Sequence, residues 1–355
     1  MAKKKITRRE FMKKGAMVTA AAAVGPHIFV RKVTAASKKK LVICSWGGSY
    51  QASQRKAFFE PFAKEMGVEI VEATGPDLAK IKAQVESGNV EWDVIDIATR
   101  TLATATAENL LEPIDTNIVD LKNITKQAIF KCGIGNIAFT TALTYNKKLV
   151  KKAPKNWADF WDVKNFPGAR SLKDLAPFNL EFALIADGVS KDKLYPLDVE
   201  RAFKKMSQIK NHIDSWWKSG AQSIQQLTSG AVAMSSAWNG RVNVAQAKGI
   251  PLVIVWEGAA YDWDVWAVPK GAKNKELAMK FIQFALDPKR QGYQCGKLIA
   301  YGPSNKLAYN YIDKDRQKKL PTYPANLEKQ FSFNSEWWRP RLNKLNERWS
   351  TWKLS

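Results

Sequence analysis

The chain of 355 residues is poor in the side chains on which most enzymes depend. It has two histidines: His27 lies in a basic N-terminal segment, and His212 falls in a segment predicted to be a helix. No Ser–His–acid arrangement can be assembled without His212, and the sequence has no G-x-S-x-G, H-E-x-x-H, Walker or G-x-G-x-x-G motif. Asp262 and Asp264 would share one face of a predicted strand and could not flank a glycosidic bond. The sequence therefore predicts a protein that is not an enzyme and needs no cofactor.

Cysteine is also scarce, with three residues far apart in the chain: Cys44, Cys132 and Cys295. At most one disulfide bond can form, and no spacing among them is typical of a metal site. Cys44 falls in an apolar segment, which favours a buried and unreactive thiol.

The sequence has no apolar run long enough to span a bilayer, because the alanine-rich stretch from Ala16 to Val24 is well short of the ~20 residues that a spanning helix needs. A basic segment precedes this stretch, and small residues follow it. Residues 1–36 are therefore interpreted as an export signal, cleaved after Ala35 or Ala36, and "TRREFMK" resembles the twin-arginine motif. A protein exported by that route folds before it crosses the membrane.

Acidic residues are few relative to basic ones, and the full sequence has a formal net charge of +23. Residues 1–36 hold nine lysines and arginines and one glutamate, which leaves 47 basic and 32 acidic residues, a net charge of +15, on the rest of the chain. The lysines are spread along the sequence instead of forming the arm or face that is typical of nucleic-acid binding. We interpret the excess as a solvated basic surface and predict no nucleic-acid partner.

After the signal, short apolar runs alternate with segments of helical period. The order strand–helix–strand–helix–strand over residues 41–98 predicts a parallel, doubly wound α/β sheet, whose ligands bind at the carboxyl ends of the strands. Asp77 is predicted to cap the second helix. Further along, we predict a strand over 134–150, a helix over 198–217, a helix and a strand within 223–238, separate strands at 251–257 and 263–269, two helices broken at Asp287–Pro288, and one helix over 335–352.

Two glycines, Gly47 and Gly48, follow Trp46 between the first predicted strand and the first predicted helix. Adjacent glycines cost conformational entropy, so they indicate that another group approaches the backbone closely at this turn. Because backbone N–H groups in front of a helix can point at a ligand, we expect the approaching group to be a ligand.

Aromatic and polar residues repeatedly follow predicted strands, where an α/β sheet presents its crevice. Any one of them could instead pack in the core or lie at the surface, and it is their recurrence that predicts a small-molecule pocket. The candidate ligand-binding residues are Trp46, Ser49, Thr99, Arg100, Trp238, Asn239, Arg241, Asp264 and Tyr301.

Three segments carry a resemblance to a known family: "AWNGRVNVAQAKGIPLVIVW", "WDVWAVPKGAKNKELAMKFIQFALDPKRQG" and "IAYGPSNKLA". Their W-N-G turn, D-x-x-A-x-P strand, K-N-K-E helix start and tyrosine-containing loop resemble the spermidine/putrescine-type solute-binding proteins of bacterial ABC importers. "KNWADFWDVKNFPGARSL" is also similar, and the resemblance covers essentially the whole chain after the signal.

The resemblance implies a two-lobed α/β fold, the type II periplasmic-binding-protein fold, in which each lobe is a mostly parallel sheet flanked by helices. Two segments, near Thr140–Thr144 and Asp262–Asp264, would form the hinge, and the lobes would close over the ligand. The implied division places residues 37–142 and 263–304 in lobe 1, and residues 143–262 and 305–355 in lobe 2.

The same resemblance assigns roles to four candidates. Trp46 matches the aromatic residue after the first strand, which forms part of the family's pocket wall. Trp238 matches the tryptophan of the family's W-N-G turn, and Tyr301 matches the tyrosine of its last loop. Asp264 matches the family's principal amine-binding aspartate. Aromatic walls facing a carboxylate suit an alkylammonium group, because cation–π contacts and a charge-assisted hydrogen bond can replace its water.

The chain departs from the family in ways that bear on the ligand. Ala98 and Arg100 stand where the family has small or tyrosyl residues. The family's second acidic pair, which holds the far amine of a polyamine, aligns with Leu175 and Phe178, although Asp174 is near enough to compensate in part. An unpaired buried ammonium costs on the order of several kcal/mol, so this pattern disfavours a long polycation.

We therefore predict a monoamine or an amino-acid-like zwitterion as the ligand. Its amine would bind Asp264, and its carboxylate would bind Arg100 or Arg241. A polyamine-like ligand stays open as the alternative within the family.

The resemblance implies a monomeric periplasmic receptor that delivers a small organic amine to the permease subunits of an ABC importer. One alternative is a ferric-iron receptor of the same fold, which would need paired tyrosines converging on the metal. In the sequence, Tyr301 has no evident partner for that role. The other alternative, a secreted hydrolase, is disfavoured by the missing catalytic motifs.

Overall fold

The structure, a computed structural model of the chain, describes residues 39–355. The predicted export signal at residues 1–36, with its twin-arginine motif and cleavage site, lies outside this range. Among the described helices, none is both long and apolar enough to cross a membrane.

Eleven strands in the described part of the chain form one mixed sheet, in the order β2-β1-β3-β9-β5-β8-β6-β7, with β4 and β10 paired to β5 and β11 paired to β9. Strands β1 to β11 are Lys40–Ser45, Glu69–Thr74, Val94–Ala98, Ile129–Phe130, Gly133–Asn146, Arg170–Lys173, Ser215–Trp217, Met234–Trp238, Leu252–Ala267, Gly302–Pro303 and Phe331–Ser332.

Helices pack on the faces of this sheet, and the first two are joined by a π-helical turn at Arg55–Phe59. The α-helices α1 to α15 are Gly48–Gln54, Glu60–Met66, Leu78–Glu86, Thr99–Ala107, Trp157–Trp161, Ala176–Ala186, Val199–Ile209, Gly220–Ser229, Asn239–Ala247, Lys275–Ala285, Pro288–Tyr293, Lys314–Gln317, Pro324–Leu327, Ser335–Trp338 and Leu342–Leu354.

The parallel, doubly wound start of the fold is confirmed. β1 pairs in parallel with both β2 and β3, and α1 to α3 connect these strands. Asp77 caps α3 as predicted, since its carboxylate accepts a hydrogen bond from the backbone N–H of Lys80 at 2.9 Å. The carboxyl ends of β1 and β3 therefore lie next to each other, directly before α1 and α4.

The centre of the sheet is antiparallel and consists of the two longest strands. β9 pairs with β3 on one side and with β5 on the other, and the β5–β9 ladder runs from Ile134 opposite Trp266 to Asn146 opposite Leu252. The predicted separate strands at 251–257 and 263–269 are therefore wrong, because one strand, Leu252–Ala267, spans both. Gly258 has a positive φ of 68°, and the ladder shifts register nearby, so the strand continues through an irregularity.

Two predicted helices are also corrected. The segment 198–217 is helical over Val199–Ile209, but Ser215–Trp217 forms β7, where Trp217 is fully buried against the sheet. Burial of an aromatic side chain on a pleated surface outweighs the helical pattern there. The segment 335–352 is divided into α14 and α15, because Pro340 between them cannot continue a helix.

The buried apolar residues form two large clusters. The first core lies around β1 to β3 and α10 and contains Phe58, Trp266 and Phe281. The second core lies around α5 to α7 and the C-terminal helix and contains Trp157 and Trp349. β5 and β9 contribute residues to both, so they run from one core into the other.

Candidate functional site

A cavity of about 30 Å³ lies beyond the ends of β1, β3 and β8. By comparison, one water molecule needs about 10–15 Å³ by the same kind of measure. We call this space the inner cavity. It is lined by Trp46, Tyr50, Ala98, Arg100, Phe139, Lys173, Phe178, Trp238, Arg241, Asp264 and Tyr301.

Six of the nine candidates predicted from sequence line the inner cavity: Trp46, Arg100, Trp238, Arg241, Asp264 and Tyr301. The other three lie outside its lining. Ser49 lines a separate groove, Thr99 donates a hydrogen bond to Asp262 at 2.6 Å, and Asn239 is fully buried behind the wall.

Aromatic rings of the second core and rings packed against it form the walls. Tyr301 packs edge-on against Tyr50 with a centroid distance of 5.4 Å. Trp238 packs edge-on against Phe139 at 6.4 Å and against Trp217 at 5.4 Å. These contacts hold the rings in place around the cavity.

The W-N-G turn at the start of α9 positions Tyr301. The Asn239 side chain donates to the carbonyl oxygen of Ala300 at 2.6 Å and accepts from the backbone N–H of Thr140 at 2.9 Å, so it links the tyrosine loop to β5. A Cβ on Gly240 would lie 2.5 Å from the Tyr301 ring. Trp238 thus lines the cavity, Asn239 fastens the loop, and Gly240 leaves room for the ring.

Asp264 is the acid of the inner cavity, and its carboxylate has no hydrogen-bond or ion-pair partner within the described residues. Burial raises the pKa of Asp264 well above its ordinary value, and the charges of Asp96 and Asp262 raise it further. Arg100 and Lys173 act in the opposite direction. A cationic group in the cavity would therefore stabilise the ionised carboxylate.

Arg100 and Lys173 supply positive charge without a paired acid at salt-bridge distance anywhere in residues 39–355. Burial lowers the pKa of Arg100 below its ordinary value, although Asp262 and Asp264 oppose the shift. Burial, with a smaller effect of Arg100, lowers the pKa of Lys173 to about 7. The Lys173 ammonium lies 4.6 Å from the centroid of the Trp238 ring, which is a cation–π contact.

A network of buried polar groups around Asp96 holds Tyr50, one of the residues that line the cavity. Asp96 accepts hydrogen bonds from the Tyr50 hydroxyl at 2.8 Å, from the Gln54 amide, and from Ser45 and Asn136 at 3.3 Å. Burial nonetheless raises the pKa of Asp96 to about 7, because desolvation outweighs these bonds. The hydrogen bond to Asp96 thereby fixes Tyr50 in its edge-on contact with Tyr301.

Four lining residues were not among the predicted candidates: Tyr50, Phe139, Lys173 and Phe178. Lys173 ends β6, a parallel strand, so the rule that located the other candidates could have found it. Tyr50 and Phe139 lie inside a helix and a strand, and the sequence carries no signal that separates them from core residues.

The region aligned with the family's second acidic pair is apolar at the cavity. Phe178 lines the cavity with a left-handed backbone at φ 73°, whereas Leu175 lies outside the lining. Asp174 does not take the place of a cavity acid, because it forms an ion pair with Lys353 at 2.6 Å and accepts from the indole N–H of Trp349 at 3.2 Å.

The group that approaches Gly48 is a side chain of the protein, so the expectation of a ligand at this backbone is corrected. A Cβ on Gly48 would lie 2.7 Å from Nη1 of Arg241. Nη2 of Arg241 donates to the carbonyl oxygens of Trp46 and Gly47 at 3.5 and 3.4 Å. Gly48, at a positive φ of 59°, therefore leaves room for this guanidinium beside the backbone of the turn.

The ferric-iron alternative is not supported. Tyr50 does lie beside Tyr301, but its hydroxyl donates to Asp96 at 2.8 Å, and burial raises the pKa of both phenols above the ordinary value. Within residues 39–355, no group of three or more His, Cys, Asp or Glu side chains is placed to hold a metal ion.

Comparisons with known proteins agree with the fold. Residues 57–325 match the family described as bacterial extracellular solute-binding protein. The gamma-aminobutyric acid-binding protein of Pseudomonas aeruginosa is 39% identical over 325 residues, which cover 89% of this chain and 92% of the relative. The spermidine/putrescine-binding periplasmic protein of Escherichia coli is 26% identical over 293 residues, 78% of this chain and 81% of the relative.

A solved structure is similar over nearly the whole described chain. It is the periplasmic binding protein AgtB from A. tumefaciens R10 in complex with agropinic acid, which is 39% identical. The superposition has a TM-score of 0.83 and covers 89% of this chain and 99% of AgtB. These similarities confirm the α/β binding-protein fold and the resemblance to polyamine-type solute-binding proteins.

Proposed function

This chain belongs to the bacterial extracellular solute-binding protein family and is the substrate-binding receptor of an ABC importer, and we propose that its ligand is a short ω-amino acid of the size and charge of 4-aminobutyrate. The observation that carries this proposal is the charge of the inner cavity. One acid, Asp264, faces three basic side chains, Arg100, Lys173 and Arg241, and none of the four has an ion-pair partner within the described chain. A zwitterion supplies a counter-charge of each sign.

The charge balance disfavours a polyamine. A diamine or triamine would bring two or more positive charges against three basic side chains and one acid. The far amine would face Phe178 in place of a carboxylate, and an unpaired buried charge costs on the order of several kcal/mol. A carboxylate in the same position would be attracted to the arginines and to Lys173.

The size of the cavity also supports a short ligand. The inner cavity, at about 30 Å³, is small and lined by six aromatic rings, which favours a short ligand over a long triamine. The relative whose name states that it binds gamma-aminobutyric acid is 39% identical over 89% of this chain, which supports the same ligand class here.

We propose that the ammonium group binds Asp264 between Trp46, Trp238 and Tyr301, and that the carboxylate binds Arg100 or Arg241, with Lys173 close by. Desolvated charge-assisted hydrogen bonds of this kind are short and strong. They also fix the ligand's direction, because exchanging its two ends would place like charges together.

We propose that binding closes two lobes, residues 37–142 with 263–304 and residues 143–262 with 305–355, about the segments near Thr140–Thr144 and Asp262–Asp264. The first core supports this division because it lies almost wholly within lobe 1, and the second core holds most of the buried apolar residues of lobe 2 together with lobe 1 residues such as Tyr50 and Tyr301. The register shift of the β5–β9 ladder between Thr141 and Leu143 also supports it, because the regular strand pairing is interrupted there. The permease subunits would recognise the closed form.

We propose that residues 1–36 direct export by the twin-arginine route and that the mature protein is a periplasmic monomer. This rests on the basic segment, the alanine-rich stretch and the small residues that follow it. The family is described as bacterial and extracellular, which supports an exported protein.

The proposal is tested by calorimetric titration of the purified protein with 4-aminobutyrate, putrescine and spermidine. We expect 4-aminobutyrate to bind at least tenfold more tightly than either polyamine. Tighter binding of spermidine would contradict the zwitterion proposal and favour a polyamine receptor.

A further inference from the structure

The inner cavity has a neighbour on the far side of Arg241. A groove of about 400 Å³ runs between α1, α8 and α9, and we call it the outer groove. Of the residues that line the two spaces, Arg241 is the one that they share. The side chain of Arg241 therefore separates the inner cavity from the outer groove.

The separation is tight because the backbone approaches Arg241 from both sides. A Cβ on Gly48, in α1, would lie 2.7 Å from Nη1, and a Cβ on Gly220, in α8, would lie 2.6 Å from Cδ and Nε. Real Cβ atoms do not approach other atoms this closely, so any larger residue at either position would displace the arginine. The extended side chain fills the gap between two helices that belong to different parts of the sheet.

Weak interactions hold Arg241 in this gap. Its two hydrogen bonds, to the carbonyl oxygens of Trp46 and Gly47, are 3.5 and 3.4 Å long, well beyond the usual 2.9 Å. Its Nε is buried and has no acceptor in the described residues, and its guanidinium carbon is 5.6 Å from the Trp238 ring centroid. The packing of the two helices around it, more than a strong polar partner, therefore keeps Arg241 in the gap.

We propose that Arg241 is the outer wall of the ligand site and sets the maximum length of ligand that the protein accepts. This inference rests on the proposed function, since it takes an ω-amino acid anchored by its amine at Asp264. Adding methylene groups drives the far end of such a ligand against Arg241.

When Arg241 is removed, the inner cavity and the outer groove join. The outer groove is lined by the apolar side chains of Ile224, Val244 and Ile250, which suit additional methylene groups. Lys248 lies farther out on the same lining and supplies a positive charge for a terminal carboxylate. The joined space accepts the longer homologues that the intact wall excludes.

The experiment measures Kd for 4-aminobutyrate, 5-aminopentanoate and 6-aminohexanoate with the wild type and Arg241→Ala. In the wild type we expect Kd to rise at least 30-fold from the four-carbon to the six-carbon acid. In Arg241→Ala we expect that ratio to fall at least tenfold. A ratio unchanged by the substitution would overturn the inference.

The ratio separates a wall from a simple carboxylate partner, because loss of a common carboxylate contact weakens all three ligands by a similar factor. Arg100→Ala is the matched control, since Arg100 lines the inner cavity and not the outer groove. It should raise all three Kd values and leave their ratio unchanged. Arg241→Gln, a shorter polar side chain, should give an intermediate ratio and serves if the alanine variant does not fold.

Failure of the proposed function is distinguishable from failure of the wall. If the wild type binds none of the three acids, the proposed ligand class is wrong. The same ratio is then measured with 1,4-diaminobutane and 1,6-diaminohexane, and a ratio unaffected by Arg241→Ala, or no binding of either diamine, overturns the wall as well.

Discussion

No charged side chain that lines the inner cavity has an ion-pair partner at salt-bridge distance within the described protein. Asp264, Arg100 and Lys173 are placed where water is largely excluded, and each has a pKa shifted toward its neutral form. Such groups destabilise the ligand-free fold, because their desolvation is not repaid by a partner. A ligand with charges of both signs offsets this desolvation cost when it binds. The residues that lower the stability of the fold therefore provide affinity for the ligand.

The first prediction concerns Asp264. Asp264→Asn removes the charge that binds the amine, and loss of a charge-assisted hydrogen bond costs roughly 1.5–3 kcal/mol, which raises Kd about 10- to 150-fold. Calorimetry measures the change. Asp174→Asn is the control, since Asp174 pairs with Lys353 away from the cavity and its substitution should leave Kd unaltered. Equal affinity of Asp264→Asn and the wild type would mean that the carboxylate does not bind the ligand.

The second prediction concerns Lys173 and pH. Burial lowers its pKa to about 7, whereas an unfolded lysine has a pKa of about 10.4. Between these values the unfolded chain binds the extra proton, so this residue makes the free energy of unfolding rise with pH and costs most stability below pH 7.

Lys173→Met should therefore be more stable than the wild type at pH 6. Between pH 7 and pH 10, its free energy of unfolding should rise less with pH than that of the wild type. Urea unfolding at a series of pH values measures both. Lys218→Met is the control, because Lys218 is exposed and its replacement should leave the pH dependence as it is. A destabilised Lys173→Met at pH 6 would contradict the interpretation.

The W-N-G turn is an element whose three residues have separable roles, and it gives the third prediction. In Gly240→Ala, the new Cβ would lie 2.5 Å from the Tyr301 ring and force it out of the cavity wall. Overpacking of this kind costs roughly 1–3 kcal/mol, and we expect ligand affinity to fall by a comparable amount.

A double-mutant cycle with Tyr301→Ala tests this explanation by calorimetry. Once the ring is absent, Gly240→Ala should have little further effect on affinity. Equal penalties in both backgrounds would show that Gly240 is needed for another reason, such as the geometry of the turn itself.

The elements show which parts of the fold can be read from sequence. β1 to β3 and their helices were predicted correctly because each has one clear period and a clear end, such as Asp77 at the start of α3. β9 was divided in error because Gly258 interrupts its apolar pattern, and a sequence does not distinguish an irregularity within a strand from a break. β7 was taken for helix because only its tertiary partners favour a strand.

The site depends on contacts between distant parts of the chain. The hydrogen bond from Arg241 to Trp46 joins residues 195 positions apart, and neither the distance nor the direction follows from local pattern. The candidates at strand ends were found because the carboxyl ends of parallel strands meet at the same edge of a sheet. Tyr50 and Phe139 were missed because their side chains reach the cavity from within regular elements.

The fourth prediction concerns the thiols of the whole molecule. Cys44, Cys132 and Cys295 are all buried and unpaired, and burial raises the pKa of Cys44 and Cys295 to about 12. We expect iodoacetamide at pH 8 to modify none of them in the native protein and all three after unfolding in urea without reductant. Mass spectrometry counts the adducts. A single adduct after unfolding would reveal a disulfide bond and contradict the structure.

β9 serves both sides of the sheet at once, since Tyr261 and Trp263 pack in the first core while Asp264, one step on, opens into the cavity. Side chains along a strand alternate, so inserting or deleting one residue upstream in β9 would exchange these faces, burying a carboxylate in the core and turning an indole toward the ligand. Substitutions in this segment should therefore be tolerated far more easily than insertions or deletions. Homologues that bind other solutes should carry substitutions here but no single-residue gaps.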